Sequence, residues 1–366
     1  MKKPILKQML RPALALVAAL LLAGPSVAAD VTMNLTAEAR NVTMPDGTVV
    51  PMWGFFDAAG ADWSPGPQPV GLQEGDTLTI NLTNTLTLPV SIVIPGQAAS
   101  LSPVTVTDAQ GRTRVKSFTA ETPAASGPVT YEWTNLRPGT YIYHSGTNPG
   151  RQVPMGLYGV IKVDAAPGEA YTGAPYNREV LLLYSEIDPD LNATDPAEVA
   201  RPRTYKPRYF LINGQPFDPL APAPLPAGLV GATTLVRFAN IGLKSHMPLL
   251  LNGPHMQVIA EDGHPYPYAK EQYLVNLAPG KTMDALWQPT AEGTFPLFDR
   301  SHHLTTGASG NGGMLAQLAV STTCPGDLDF DLDVDGLDAH IYAGIYGPGV
   351  VPTLGDFTAF FGTICP

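Results

Sequence analysis

The chain has 366 residues, of which 36 are Gly and 38 Pro; only 14% are charged, and the net charge is −11. That length suits two domains with a small appendage, and the turn-rich, charge-poor composition argues for short strands rather than long polar-faced helices. No cluster of Lys and Arg offers a phosphate-binding surface, so nucleic acid is not an expected partner.

Residues 1–29 read as a secretory signal. Lys2, Lys3, Lys7 and Arg11 precede an apolar run from Ala13 to Ala23, and Ser26, Val27, Ala28 and Ala29 supply a small-residue cut site. The run is too short and too soon broken to span a bilayer comfortably. The expected product is exported, periplasmic or extracellular, with no transmembrane segment in the mature chain.

Residues 30–165 read as one β domain. Val31–Ala37 alternates and opens it, and the turn Glu74–Gly75–Asp76 introduces the half-buried strand Leu78–Leu82. Val90–Ile94 has the nearly continuous apolar character of a sandwich-core strand. Tyr131–Trp133, Thr140–His144 and Leu157–Val163 follow. The Gly/Pro-rich stretch around 166–178 is the expected linker. A second β domain, 179–321, holds strands at Glu179–Tyr184, Tyr209–Ile212, Thr234–Phe238, His255–Ala260, Tyr273–Leu277 and Met314–Val320. Asn213–Gly214 is a tight-turn signal, and Glu261–Asp262–Gly263 reads as a hairpin turn. The fold class is all-β, two consecutive Greek-key sandwiches.

On these residues the chain resembles a multicopper oxidase of the laccase type. The landmarks run in the family's order: Trp53–Gly54–Phe55, Pro65–Gly66–Pro67, Glu74–Gly75–Asp76, Asn81–Leu82–Thr83–Asn84, Pro138–Gly139–Thr140–Tyr141–Ile142–Tyr143–His144–Ser145 and Gly156–Leu157–Tyr158–Gly159. Asn213–Gly214, Val236–Arg237–Phe238–Ala239–Asn240 and Gly312–Gly313–Met314 continue it in the second domain. The resemblance implies two cupredoxin-like domains. It also implies four His-x-His pairs around three coppers, and a blue copper held by two His, a Cys and often a Met.

The ligand motifs themselves are broken. The first His-x-His-Gly reads Val93–Ile94–Pro95–Gly96. The second keeps His144 but has Gly146 as its partner. The third reads Met247–Pro248–Leu249–Leu250–Leu251–Asn252–Gly253, and the place of His-Cys-His holds Phe298–Asp299–Arg300. Aliphatic, ring and guanidinium groups offer no lone pair to a redox-active copper, which takes imidazole and thiolate. Arg300 is expected to put a positive charge where cations would sit, or to pair with Asp299 as an interdomain tie. His144, His246, Met247 and His302 remain as candidate ligands for one relocated copper. If His302 and His303 are extended, they face opposite ways and at most one serves a given site. No Gly-x-Ser-x-Gly, His-Glu-x-x-His or phosphate-cradling loop suggests another chemistry. The expected function is a secreted, non-catalytic binding or structural protein on a degenerate multicopper oxidase scaffold. The alternative is a copper-binding redox or copper-handling protein. An unidentified protein or cell-envelope partner, and a homo-oligomer, complete the expectation.

Residues 322–366 form a separate tail. Asp327, Asp329, Asp331, Asp335 and Asp338 fall at places 1, 3, 5, 9 and 12 of a calcium loop, with Asp333 between them and apolar Val334 at place 8. The segment resembles a dockerin-type calcium loop leading into a short helix, with Leu332 standing where that loop's Gly belongs. Calcium is the expected ion. Cys324 and Cys365 bracket the tail, and export permits a disulfide between them.

Overall fold

The computed structural model describes residues 28–322, apart from 61–62, 100–101, 194–204, 306 and 308–311, and beyond these only 334, 336 and 339. The signal segment to residue 27, Cys324, Cys365 and the six tail aspartates therefore lie outside the described residues.

The first domain is built from β1 (Asp30–Thr43), β2 (Val49–Phe56), β3 (Thr77–Asn84), β4 (Val104–Thr107), β5 (Thr113–Ser117), β6 (Ser126–Trp133), β7 (Gly139–His144), the single-turn helix α1 (Pro149–Gln152) and β8 (Tyr158–Val163). Its main sheet has the order β2-β1-β3-β6, while β4 pairs with β5 and β7 with β8. Burial alternates strictly along β3, so Leu78, Ile80 and Leu82 enter the core on one face. A short hairpin, β9 (Glu169–Tyr171) and β10 (Ala174–Pro175), occupies most of the Gly/Pro-rich stretch between the domains. Tyr171 and Tyr176 bond into the neighbouring domains from it.

The second domain contains β11 (Arg178–Ile187), α2 (Pro189–Asn192), β12 (Tyr209–Ile212), β13 (Leu225–Leu229), β14 (Thr234–Asn240), β15 (Pro248–Leu250), β16 (Met256–Glu261), β17 (His264–Gln272), β18 (Thr282–Trp287), β19 (Gly293–Asp299) and β20 (Leu315–Ser321). Two sheets, ordered β12-β11-β14-β18-β16-β17 and β13-β20-β19-β15, enclose its core. The pairing repeats that of the first domain. There β1 is antiparallel to β2 and parallel to β3, and here β11 is antiparallel to β12 and parallel to β14. The fold is predominantly β in two cupredoxin-like domains: the strand rhythm predicts two β domains, and the family resemblance implies their type.

All seven residues of β14 are buried. Val236 and Phe238 face the second domain's own core. Ala239 belongs to a separate apolar cluster that Phe56, Trp63, Tyr158 and Val160 of the first domain share with Leu183, Tyr209 and Leu211. A strand covered on both faces reads as one apolar run. Between the polar ends Thr234 and Asn240, the charged exception is Arg237, on the interdomain face and fully buried.

Some expected strands take a different form. Val90, Ile92 and Ile94 are core residues, but the run is held only by single bridges, Val90 to Thr122 and Val93 to His144. Tyr273–Leu277 likewise pairs through isolated bridges, Leu249 to Leu274 and His246 to Leu277, rather than as a continuous strand. The strand preceding it is β17, an edge strand with mostly exposed side chains and therefore little hydrophobic signature.

Candidate metal centre

The positions that would surround three coppers are closed or empty of donors. Val93 is buried, and its N–H donates to the His144 carbonyl at 2.9 Å while the His144 N–H returns a bond of 3.0 Å. Leu250 packs into the second domain's core. Pro95 and Gly96 line an interdomain cavity of about 340 Å³ with Thr140, Tyr141, His144, Ile241 and Thr282. His144 is the one imidazole on that lining. Its Nδ1 lies 2.9 Å from the Ser145 carbonyl oxygen. Burial lowers its pKa, and that bond opposes the shift without reversing it. One imidazole cannot organise a cluster of ions, and the residues present do not fit the three-copper group.

Charge next to this cavity is satisfied within the protein. The Arg237 guanidinium donates through Nε to Glu179 at 2.6 Å, through Nη2 to Asp164, and through Nη1 to Thr140 Oγ at 3.2 Å. Thr140 and Tyr171 each donate to Asp284, both at 2.5 Å, and Lys162 pairs with Glu179. Burial works against the charge on Glu179, but Arg237 and Lys162 outweigh it and hold that carboxyl below its ordinary range. The network joins Thr140, Lys162 and Asp164 of the first domain to Glu179, Arg237 and Asp284 of the second. It fills the role expected of an Asp299–Arg300 tie.

Asp299 and Arg300 do not pair. Arg300 is exposed and its Nη1 lies 2.6 Å from His302 Nε2, so its charge faces solvent rather than a metal cavity. Asp299 is fully buried at the end of β19. Its Oδ1 accepts from the Met247 N–H at 2.7 Å and the Ser301 N–H at 3.2 Å, and its Oδ2 lies 2.5 Å from His303 Nδ1.

His246 completes this second site. Its Nε2 lies 3.1 Å from Glu186 Oε2, and its Nδ1 stands 3.5 Å from Asp299 Oδ2, a charge contact without hydrogen-bond geometry. Its ring stacks on Tyr184 at 5.9 Å and meets the His303 ring edge-on at 5.3 Å. Glu186 sits near the end of β11 and also accepts from the N–H groups of Leu243 and Lys244, each at 2.6 Å. Gly242 makes room for it, since a Cβ there would strike the carboxylate. Burial lowers the His246 pKa, but Asp299 and Glu186 raise it further, for a net upward shift. Burial likewise opposes the Asp299 charge, and the donors around it hold the carboxyl far below the usual range. His246, Asp299 and His303 are the one group of three metal-type donors gathered within 4.8 Å among the described residues.

The candidate residues read from sequence thus separate. His144 lies in the interdomain cavity. His246 is central to the second site. Met247 touches that site through its backbone N–H. His302 adopts a left-handed φ of 64° and is exposed, so His303 faces Asp299 in its place. The extended alternation assumed for the pair fails at that left-handed residue, but only one of the two rings reaches the site. Glu186 is not among the candidates read from sequence, although a Glu inside the apolar run Leu181–Leu182–Leu183–Tyr184–Ser185–Glu186–Ile187 is a signal that a buried carboxylate needs a partner.

Comparison with known proteins agrees with this architecture. Residues 36–168 and 183–322 each match a family pattern described as multicopper oxidase, together about three quarters of the chain. The copper-containing nitrite reductases of Neisseria meningitidis serogroup B and Neisseria gonorrhoeae are 24% identical over 187 residues. The aligned stretch spans 51% of this chain but only 43% of those relatives' length. Among solved structures, the blue copper oxidase from Nitrosomonas europaea superposes with a TM-score of 0.66 at 20% identity, covering 80% of this chain and 86% of that one. The multicopper oxidase mgLAC gives 0.67 at 23% identity, covering 82% and 89%. At such identities the likeness establishes the fold.

Proposed function

We propose that this chain, which belongs to the multicopper oxidase family through both of its domains, is an exported, non-catalytic binding or structural protein. One observation carries the reading. Where the family's copper cluster would need eight imidazoles, the interdomain cavity presents His144 alone, beside Pro95 and a backbone-bonded Val93. The domains are joined instead by the Arg237 network, which needs no ion. Loading the purified protein with excess copper should leave at most one ion per chain after desalting, and no oxygen uptake with an added reductant. Three or more retained coppers with oxygen consumption would overturn the reading.

A second reading, copper handling at one relocated site, is favoured by the grouping of His246 with Asp299 and His303. It predicts one tightly held copper that is lost in His246→Ala. The tail extends the first reading. Asp327, Asp329, Asp331, Asp333, Asp335 and Asp338 would bind calcium, and a Cys324–Cys365 disulfide would close the module, for attachment to a protein or cell-envelope partner. Val334, the apolar eighth place of that loop, is buried. Calcium chelation should lower the tail's thermal midpoint, and an unchanged melt would remove calcium from the account. Among the described residues no helix is long and apolar enough to cross a membrane.

A further inference from the structure

Two carboxylates, Glu186 and Asp299, have fully buried side chains on either side of one imidazole. The hydrogen-bond partners of these carboxylates are backbone N–H groups and imidazoles, with no Lys or Arg among them. Buried charge of that size is costly unless hydrogen bonds or a cation balance it. His246 Nδ1 is buried, has no hydrogen-bond partner, and looks toward Asp299 Oδ2. The Tyr184 hydroxyl, close enough to feel the Asp299 charge, is a second buried polar atom without a partner. Buried polar groups of this kind call for a partner.

We propose that His246 Nδ1, His303 Nδ1 and Asp299 Oδ2 hold one divalent cation of the zinc class. The donor set is two nitrogens and one oxygen, with no thiolate, which suits a borderline ion that takes three protein ligands and leaves a fourth place open. Tetrahedral ligands about 2.0 Å from an ion stand roughly 3.3 Å apart. One donor atom from each residue already lies within 4.8 Å of the others, and the proton that His303 Nδ1 shares with Asp299 Oδ2 would leave as the ion binds. Glu186 supports the arrangement. By accepting from His246 Nε2 it leaves Nδ1 as the lone-pair face, the carboxylate–histidine–metal relation of zinc sites. A 2+ ion balances the two carboxylates. His303, 24% exposed and stacked on Phe210 at 4.3 Å, gives the site a side open to solvent. These nitrogens belong to residues beside the family's ligand places, and a carboxylate stands where the blue-copper thiolate would be, so the site is not that redox centre rebuilt.

The test is equilibrium dialysis of untagged full-length protein against zinc(II), with metal content read for the wild type, Asp299→Asn and His303→Ala. The wild type should retain one zinc more per chain than His303→Ala, whose affinity should fall by at least roughly tenfold. X-ray absorption should show only N and O ligands, at about 2.0–2.1 Å. Comparison with His303→Ala removes any zinc held by the acidic tail. Should Asp299→Asn fail to fold, His303→Ala and His303→Gln still decide, because that ring is partly exposed. Equal zinc in wild type and His303→Ala, or His246 imidazole NMR signals unmoved by zinc, would overturn the site. That outcome would leave the non-catalytic reading standing, whose own failure is read from copper in the other cavity.

Discussion

Arg237→Met should lower the free energy of unfolding by about 3–5 kcal/mol, the range for removing one partner from a buried ionic network. The guanidinium has no exposed surface, and it faces Glu179, Asp164 and, at 3.9 Å, Asp284. Methionine would fill much of the volume yet leave three carboxylates between the domains, with Lys162 still pairing Glu179. The loss is not a measure of what the whole network contributes, since replacing all of its members by apolar groups is often neutral. It measures the cost of leaving its anions uncompensated. Denaturant unfolding followed by Trp fluorescence gives the value directly. A loss below about 1 kcal/mol, the scale of an exposed pair, would mean that the domains do not depend on this contact.

Glu186→Ala should cost a similar amount, about 3–5 kcal/mol, for a different reason. The carboxylate is the acceptor for two backbone N–H groups, at Leu243 and Lys244, and for the His246 ring. Each buried donor left without a partner costs about 1–3 kcal/mol. Glu186→Gln should lose less, about 1–3 kcal/mol, because its amide oxygen keeps the backbone bonds and only the imidazole must find a new tautomer or partner. The ordering Ala below Gln, measured by chemical denaturation, checks the assignment. Equal losses would point to packing rather than to hydrogen bonding.

Much of the fold was legible because its strands obey local rules. The alternation of Leu78, Ile80 and Leu82 sets one buried face. Asn213–Gly214 and Asp262–Gly263 adopt paired positive φ values, 50° and 75°, then 52° and 71°, as tight hairpin turns require. Less was legible where tertiary contact decides. The run Val90–Ile94 has strand chemistry but lies where only single bridges can form. β17 carries Pro265 and Pro267 and faces solvent, so it shows neither period nor apolar content.

The loss of the copper motifs could be read directly, since Val, Pro, Leu and Phe have no metal-binding lone pair. What replaced them could not. Arg237 sits in an apolar run, and its partners come from three separate segments of chain. The second site depends on a left-handed residue at 302 and on a carboxylate 60 residues from His246 in sequence. Neither distance nor handedness is encoded in the motif itself.

The interdomain cavity lacks the donors that a copper cluster needs. Diffraction from copper-soaked crystals, recorded on both sides of the copper absorption edge, tests this most directly. The expected map has no anomalous peak among His144, Pro95 and Val93. A group of copper peaks in that cavity would contradict the account.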